Sequence, residues 1–382
     1  DAVDSIGFHY RTNATSDYIT MADVDDKEVW YSEGCATFGY SELQENKTAE
    51  YGAGTIGGYQ SPLALLDSLP NAFVGSRRTM YMFQPAIGSF YEGIQYGHKE
   101  LLSARDPWSG YIHYDPVLYM LSHITKFAKT GWENDTNTNG IWRVLPNATY
   151  GSFGSSDNEH QTAGINGDAS YMTLAAPDKT NFSTVFINNT QNEKTFAIKT
   201  SDLNLSVDAL HIWTTVTDDY LKQGEDVKIE DGIAYVTVPA YSVVTATTLD
   251  TTPERFPTED GSGDYIQTEK RTVLDTDYTG KNQNTTDDYL YADNFEYTNE
   301  EDVTVYNATT GKETTENYLV SRGNEPRYML DTHGAWIVEN GQLKQENASS
   351  VNQWNGGDPA TIVGDWRWMD YSASIDVTLP GA

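Results

Sequence analysis

The hydrophobic period of this chain changes near Trp132, and a single layer architecture cannot absorb that change. Before it, short apolar runs alternate with helical ones. Ser5-Ile-Gly-Phe-His9, Glu28-Val-Trp-Tyr-Ser-Glu33 and Thr79-Met-Tyr-Met-Phe-Gln84 have the length of strands, and Pro62 to Leu69 lies between the last two. Asp115 to Phe127 opens on a helix-style Asp-Pro and carries apolar residues at three- and four-residue spacing. Such alternation predicts βα units and a parallel sheet. From Trp132 to Leu249 the period becomes two, with turn residues as punctuation. Ala169-Ser-Tyr-Met-Thr-Leu174, Ser183-Thr-Val-Phe-Ile187, Ala209-Leu-His-Ile-Trp213 and Ile233-Ala-Tyr-Val-Thr-Val238 are the clearest examples, and they predict an all-β sandwich.

Residues 253–288 hold Pro253, Pro257 and a Gly-Ser-Gly at 261–263 with little apolar periodicity, so they read as a linker. A third unit follows over 289–382. Its expected strands are Leu290 to Tyr297, Ala335 to Val338 and Tyr371 to Leu379, the last ending close to Ala382, as if the domain were incomplete. The domain expectation is therefore 1–130, 131–252 and 289–382, joined through 253–288. A length of 382 residues accommodates that number of domains at roughly 100–200 residues each.

Composition narrows the chemistry. A net charge of −32 sets up a field that repels phosphate backbones and anionic membranes, which disfavours nucleic acid as a partner. Cys35 is the single cysteine, so neither a disulfide framework nor a thiolate metal cluster is expected. Aromatics reach 12%, with 26 Tyr and 9 Trp against 21% charged residues, a profile suited to β modules and to clefts that bind neutral polar ligands such as carbohydrate. No apolar run reaches the ~18 residues of a membrane span. Asn-X-Ser/Thr triplets recur from Asn13 to Asn347, as glycan acceptors or as a consequence of an Asn- and Thr-rich composition. These features favour an extracellular or secreted protein.

Glu33 carries the sharpest chemical signal. It ends a β-branched and aromatic run and is followed by Gly34. In a (β/α)8 barrel the functional groups stand at the C-terminal ends of strands, where this pattern places Glu33. His9-Tyr10 ends the preceding strand and Gln84 the following one, so three consecutive strands would bring hydrogen-bonding groups to one rim. Each residue also suits an ordinary solvated strand end.

Ser5-Ile-Gly-Phe-His-Tyr10, Trp30-Tyr-Ser-Glu-Gly34, Ser89-Phe-Tyr-Glu92, Tyr96-Gly97 and Ala104-Arg-Asp-Pro-Trp-Ser-Gly110, in that order, resemble the galactocerebrosidase family of retaining β-galactosidases, glycoside hydrolase family 59. The likeness continues from Pro116 to Trp132 and returns at Leu343-Lys-Gln345, Trp354 and Ile362-Val-Gly-Asp-Trp366. It implies a multidomain chain: the C-terminal part of a (β/α)8 TIM barrel (strands six to eight), an all-β sandwich and a partial lectin-like β jelly roll. It also implies that Glu33 is the catalytic nucleophile, oriented by Tyr10, and that His9, Gln84, Tyr96, Trp354 and Lys199 bind substrate. The implied partner is a β-galactoside glycan or glycolipid. No cofactor is needed for catalysis, and a structural calcium is implied at Asn294 and Glu296, residues that equally suit a polar strand edge.

Two departures bear on specificity. Gln84 stands where the family carries a tryptophan, and Ala36 where it carries a serine, which leaves the sugar preference open. Retaining hydrolysis also needs a second carboxyl group about 5–5.5 Å from the nucleophile. The family's acid/base follows an Asn well before the nucleophile, yet the Asn-Glu pairs here, at Glu159, Glu193, Glu300 and Glu325, all lie after Glu33. The expectation is a fragment lacking the acid/base and inactive alone. Rival readings are a retaining glycosidase of the same barrel clan with another sugar, and a non-catalytic carbohydrate-binding cell-surface protein.

Overall fold

A computed structural model describes residues 3–9, 14–35, 56–58, 61–84, 86–89, 101–104, 113–128, 142–151, 168–249, 291–296, 303–307, 310–316, 323–326, 329–347, 358–363 and 370–379. The chain divides into two units: residues 1–90, 96–103 and 113–268, and residues 91–95, 104–112 and 269–382. The expected linker lies outside the described residues.

The first unit opens with the expected βα alternation: β1 (Ser5–His9), α1 (Ser16–Asp23), β2 (Glu28–Cys35), α2 (Pro62–Pro70) and β3 (Arg78–Gln84). The strands form a parallel sheet in the order β1-β2-β3. Among the described residues this sheet has three strands and is open. Phe8, Val29 and Tyr31 are buried on one face, where Tyr18 and Ala22 of α1 cover them. Helix α2 starts where its sequence says it should: Ser61 accepts the Ala64 N–H at 3.1 Å and Pro62 occupies the first turn. Every residue of α2 is buried, as expected of a helix apolar on most of its circumference. A π-helical turn, Asn71–Gly75, leads on towards β3. A small sheet of β4 (Ile87–Ser89), β5 (Leu102–Ala104) and β6 (His113–Tyr114) precedes α3 (Pro116–Thr125).

The sandwich follows as β7 (Arg143–Val144), β8 (Ser170–Ala175), β9 (Phe182–Asn188), β10 (Lys194–Lys199), β11 (Ala209–Val216), β12 (Asp219–Gln223), β13 (Val227–Lys228), β14 (Ile233–Val238) and β15 (Ser242–Thr247). The large antiparallel sheet runs β12-β11-β15-β9-β8-β7 with β13 added to β11, and β10 pairs with β14. Phe182, Phe186, Leu210, Val236 and Val244, with Phe196 and Ile198, form the core between the two layers. The other face of the large sheet is also covered. Leu63, Leu66 and Leu69 of α2 and Met120 of α3 pack against Val185, Ile187 and Val243. This double cover explains why every residue of β9 and of β15 is buried, whereas β14 alternates.

His123 makes the bond between α3 and that sheet specific. Its ring is fully buried, Nδ1 lies 2.8 Å from Thr245 Oγ1, and Nε2 lies 2.7 Å from Thr215 Oγ1. Burial lowers its pKa from 6.5 to about 3, so the imidazole is neutral in the fold.

Among its described residues the second unit is all-β. Its strands β16 (Val303–Asn307), β17 (Lys312–Glu316), β18 (Met329–His333), β19 (Trp336–Glu339), β20 (Gln342–Gln345) and β21 (Ala360–Val363) pair antiparallel as β16-β17, β18-β21 and β19-β20. The β19-β20 hairpin turns on Asn340 and Gly341, at φ 54° and 71°, the positive pair that a two-residue turn requires. Among the described residues these pairs do not join into one jelly-roll sheet. Two expected strands are corrected. Residues 291–296 are not a strand, because Asp293 and Asn294 fold the backbone locally: Asp293 Oδ1 accepts the Phe295 N–H at 2.7 Å and Asn294 Oδ1 accepts the Glu296 N–H at 3.0 Å. Residues 371–379 keep their period-two pattern but form no ladder among the described residues, and Ile375 and Leu379 are 75% and 81% exposed.

Candidate active site at the end of the second strand

Regular pleating alone would bury Glu33. Val29 and Tyr31 point into the apolar face beneath α1 and are fully buried, and strict alternation would send residue 33 after them. The register shows why it does not. Against β1, Phe8 pairs with Tyr31 but His9 pairs with Glu33; against β3, Tyr31 pairs with Tyr81 but Gly34 with Phe83. Strand β2 therefore carries one extra residue at Ser32–Glu33 relative to both neighbours, a bulge that re-aims the side chain. Glu33 ends up 32% exposed at the C-terminal end of the strand.

Three contacts shape this bulge. The Ser32 hydroxyl donates to the Phe8 carbonyl at 3.4 Å, tying it to β1. Gly34 is required because the Tyr31 ring lies across its backbone: a β-carbon there would stand 2.0 Å from Tyr31 Cε1. His9 Nδ1 approaches Glu33 Oε2 at 3.2 Å, bringing two of the sequence-predicted residues together.

Beneath the bulge, rings lock the sheet. Tyr31 stacks on Tyr81 at 4.1 Å and Phe8 on Tyr18 at 4.9 Å. The Arg78 guanidinium is inserted among them, 4.5 Å from the Phe8 centroid and 4.4 Å from that of Tyr31, with the residue only 3% exposed. A buried cation on two aromatic faces fixes the spacing of β1, β2 and β3. Sequence reasoning missed Arg78, Ser32 and the bulge. The one available signal was the glycine directly after Glu33.

The other predicted residues are distributed as follows. Gln84 ends β3 and pairs in register with Cys35, so its backbone lies on the same strand-end level as Glu33; its side chain is outside the description. Tyr10, Tyr96 and Trp354 lie outside the described residues. Lys199 is exposed at the end of β10, paired with Ile233 in the smaller sandwich layer, a different sheet from the one that carries Glu33. Asn294 and Glu296 belong to the turn in the second unit, and a β-carbon on Gly341 would lie 3.3 Å from Glu296 Oε1. Their oxygens are donors of the kind calcium takes, but among the described residues no group of three or more His, Cys, Asp or Glu side chains converges on a point. No described helix is long and apolar enough to cross a membrane.

A parallel βαβαβ unit that presents a carboxylate from a strand's C-terminal end is the local arrangement in which (β/α)8 enzymes hold their functional groups. Residues 1–126 match the sequence model of glycosyl hydrolase family 59, so the likeness read from the sequence holds over the segment that contains Glu33. The galactocerebrosidase of Danio rerio is 27% identical over 132 residues, which are 35% of this chain and 17% of that protein. That of Homo sapiens is 28% identical over 131 residues, 34% of this chain and 16% of that protein. The match thus spans about one sixth of these relatives. Among solved structures, a GH30 endoxylanase from Clostridium papyrosolvens C71 aligns with a TM-score of 0.38 at 12% identity, over 64% of this chain and 48% of that one. A family 30 subfamily 8 xylanase from Clostridium acetobutylicum gives 0.40 at 12% identity over the same shares.

Proposed function

We propose that this chain contributes the nucleophile of a retaining glycoside hydrolase that cleaves terminal β-galactosides by double displacement. The observation that carries the reading is the placement of Glu33: a bulge lifts it out of the apolar face at a strand's C-terminal end, within the segment that matches the family. In the first step a Glu33 carboxylate oxygen attacks the anomeric carbon, the bond to the aglycone oxygen breaks, and that oxygen takes a proton from a general acid. In the second, water attacks the same carbon, the bond to Glu33 breaks, and the water proton passes to the now basic partner. Tyr10 is the proposed orienting donor to Glu33. Gln84, Tyr96, Trp354 and Lys199 are proposed sugar contacts, with Trp354 stacking on the apolar face of the ring.

Glu28, the one glutamate before Glu33, does not suit the general acid. It begins β2 opposite Ser5, five residues away at roughly 3.3 Å per residue, and its carboxylate accepts the Trp30 indole N–H at 2.9 Å. Nor do the Asn-Glu pairs after Glu33, so we assign the proton donor to none of these glutamates. The 382 residues alone are then expected not to turn over unactivated galactosides. A structural calcium at Asn294 and Glu296 is a further part of the proposal; titration with terbium should give sensitised emission that is lost in Glu296→Gln, and no emission would remove it.

The test is kinetic. In the complete gene product, Glu33→Gln should lower kcat for an aryl β-galactoside by at least about 10³-fold with sugar affinity largely kept. A panel of aryl glycosides should show galactoside preferred. Preference for another sugar would transfer the site to a sister specificity, and an active Glu33→Gln enzyme would contradict it.

A further inference from the structure

We infer that His9 is a positioning residue for the nucleophile, rather than one of the sugar contacts that the family resemblance implied. The inference rests on Glu33 being the nucleophile, and it adds what confines the attacking carboxylate. A free carboxylate has two equivalent oxygens and three side-chain torsions, so a solvated glutamate presents either oxygen in many directions. In this fold His9 and Glu33 are register partners on adjacent parallel strands, and the bulge at Ser32 brings the imidazole alongside the carboxylate. Nδ1 lies 3.2 Å from Oε2. The imidazole thereby confines the carboxylate from the Oε2 side and limits the directions from which it can attack.

Exposure argues for a functional rather than a structural value of this contact. His9 and Glu33 side chains are 52% and 32% exposed, a setting in which an ion pair contributes only about 0–1 kcal/mol to folding. Orientation of a reacting group has a larger effect on rate, since a misplacement of about 1 Å can cost roughly 10²-fold. The surroundings are built to hold the geometry: the Ser32 hydroxyl anchors the bulge to the Phe8 carbonyl, one residue before His9, and a β-carbon on Gly7 would meet Ser32 Oγ at 2.7 Å. The strand that carries His9 is thus fitted to the bulge that carries Glu33.

The experiment follows the covalent step alone. A 2-deoxy-2-fluoro-β-galactoside with a dinitrophenyl leaving group needs no proton donor, and its dinitrophenolate burst reports attack by Glu33 directly. In the complete gene product, His9→Ala should slow that burst by about 10²-fold while the dissociation constant of the sugar changes less than about threefold. His9→Asn places an amide N–H where Nδ1 stands and should recover at least about tenfold of the loss. Glu33 labelled at the unmodified rate in His9→Ala would overturn the inference and leave the nucleophile assignment standing. A loss confined to sugar affinity would also overturn it, returning His9 to substrate binding. No label on Glu33 in the unmodified protein would overturn the nucleophile assignment and this inference with it.

Discussion

Gly34 has the narrowest tolerance of any residue at the site, because the Tyr31 ring lies across it and that ring is pinned by stacking on Tyr81 at 4.1 Å. Gly34→Ala should therefore destabilise the fold by about 1–3 kcal/mol through overpacking and displace Glu33, which thermal unfolding and the aryl-galactoside assay would both register. Unchanged unfolding would show that Tyr31 yields at no cost. His123 supplies a second prediction, with a sign fixed by its lowered pKa. The unfolded chain takes up a proton below about pH 6.5 and the folded chain only near 3, so stability is complete above 6.5 and falls as pH drops from 6.5 towards 3. The loss amounts to as much as about 1.4 kcal/mol per pH unit. Urea unfolding at pH 7, 5 and 4 should show this slope, and His123→Gln, which keeps polar contact with the two threonines, should flatten it. Equal slopes would assign the acid sensitivity elsewhere.

Helix α2 has two duties, since it links β2 to β3 in sequence and covers the sandwich sheet through Leu63, Leu66 and Leu69. Leu66→Ala should cost about 2–5 kcal/mol, measured by denaturant unfolding, because both faces around it are packed. A cost below 1 kcal/mol would mean that the helix does not seal this core. The strands β8, β9, β11 and β14 were legible in the sequence because period two and turn residues agree there. The full burial of β9 was not: its second face is covered by helices far earlier in sequence, Pro62–Pro70 and Pro116–Thr125, which no local pattern reveals. The β2 bulge was illegible for a related reason, as it exists only in the register with β1 and β3. Residues 371–379 show the opposite failure, a clear alternation without a ladder among the described residues. Alternation reports a face; it cannot supply a hydrogen-bonding neighbour.

Across the whole molecule the net charge of −32 works against the compact state through self-repulsion, and salt screens it with a Debye length of about 8 Å at 0.15 M. The unfolding temperature should accordingly rise between 10 and 300 mM sodium chloride, and a fall would show that specific ion pairs outweigh the general repulsion. The same field suits a neutral glycan better than a polyanion, which agrees with the reading of Glu33 as a glycosidase nucleophile. Of that site, Glu33 and its strand-end placement were legible because a strand's end, a carboxylate and a glycine occur in local order; its contact with His9 was not, because it depends on how two strands align. The most direct measurement is peptide mass spectrometry of the complete gene product after incubation with the slow 2-fluoro-β-galactoside. The account predicts one added fluorogalactosyl group, on Glu33, and none in Glu33→Gln; a group on any other residue would contradict it.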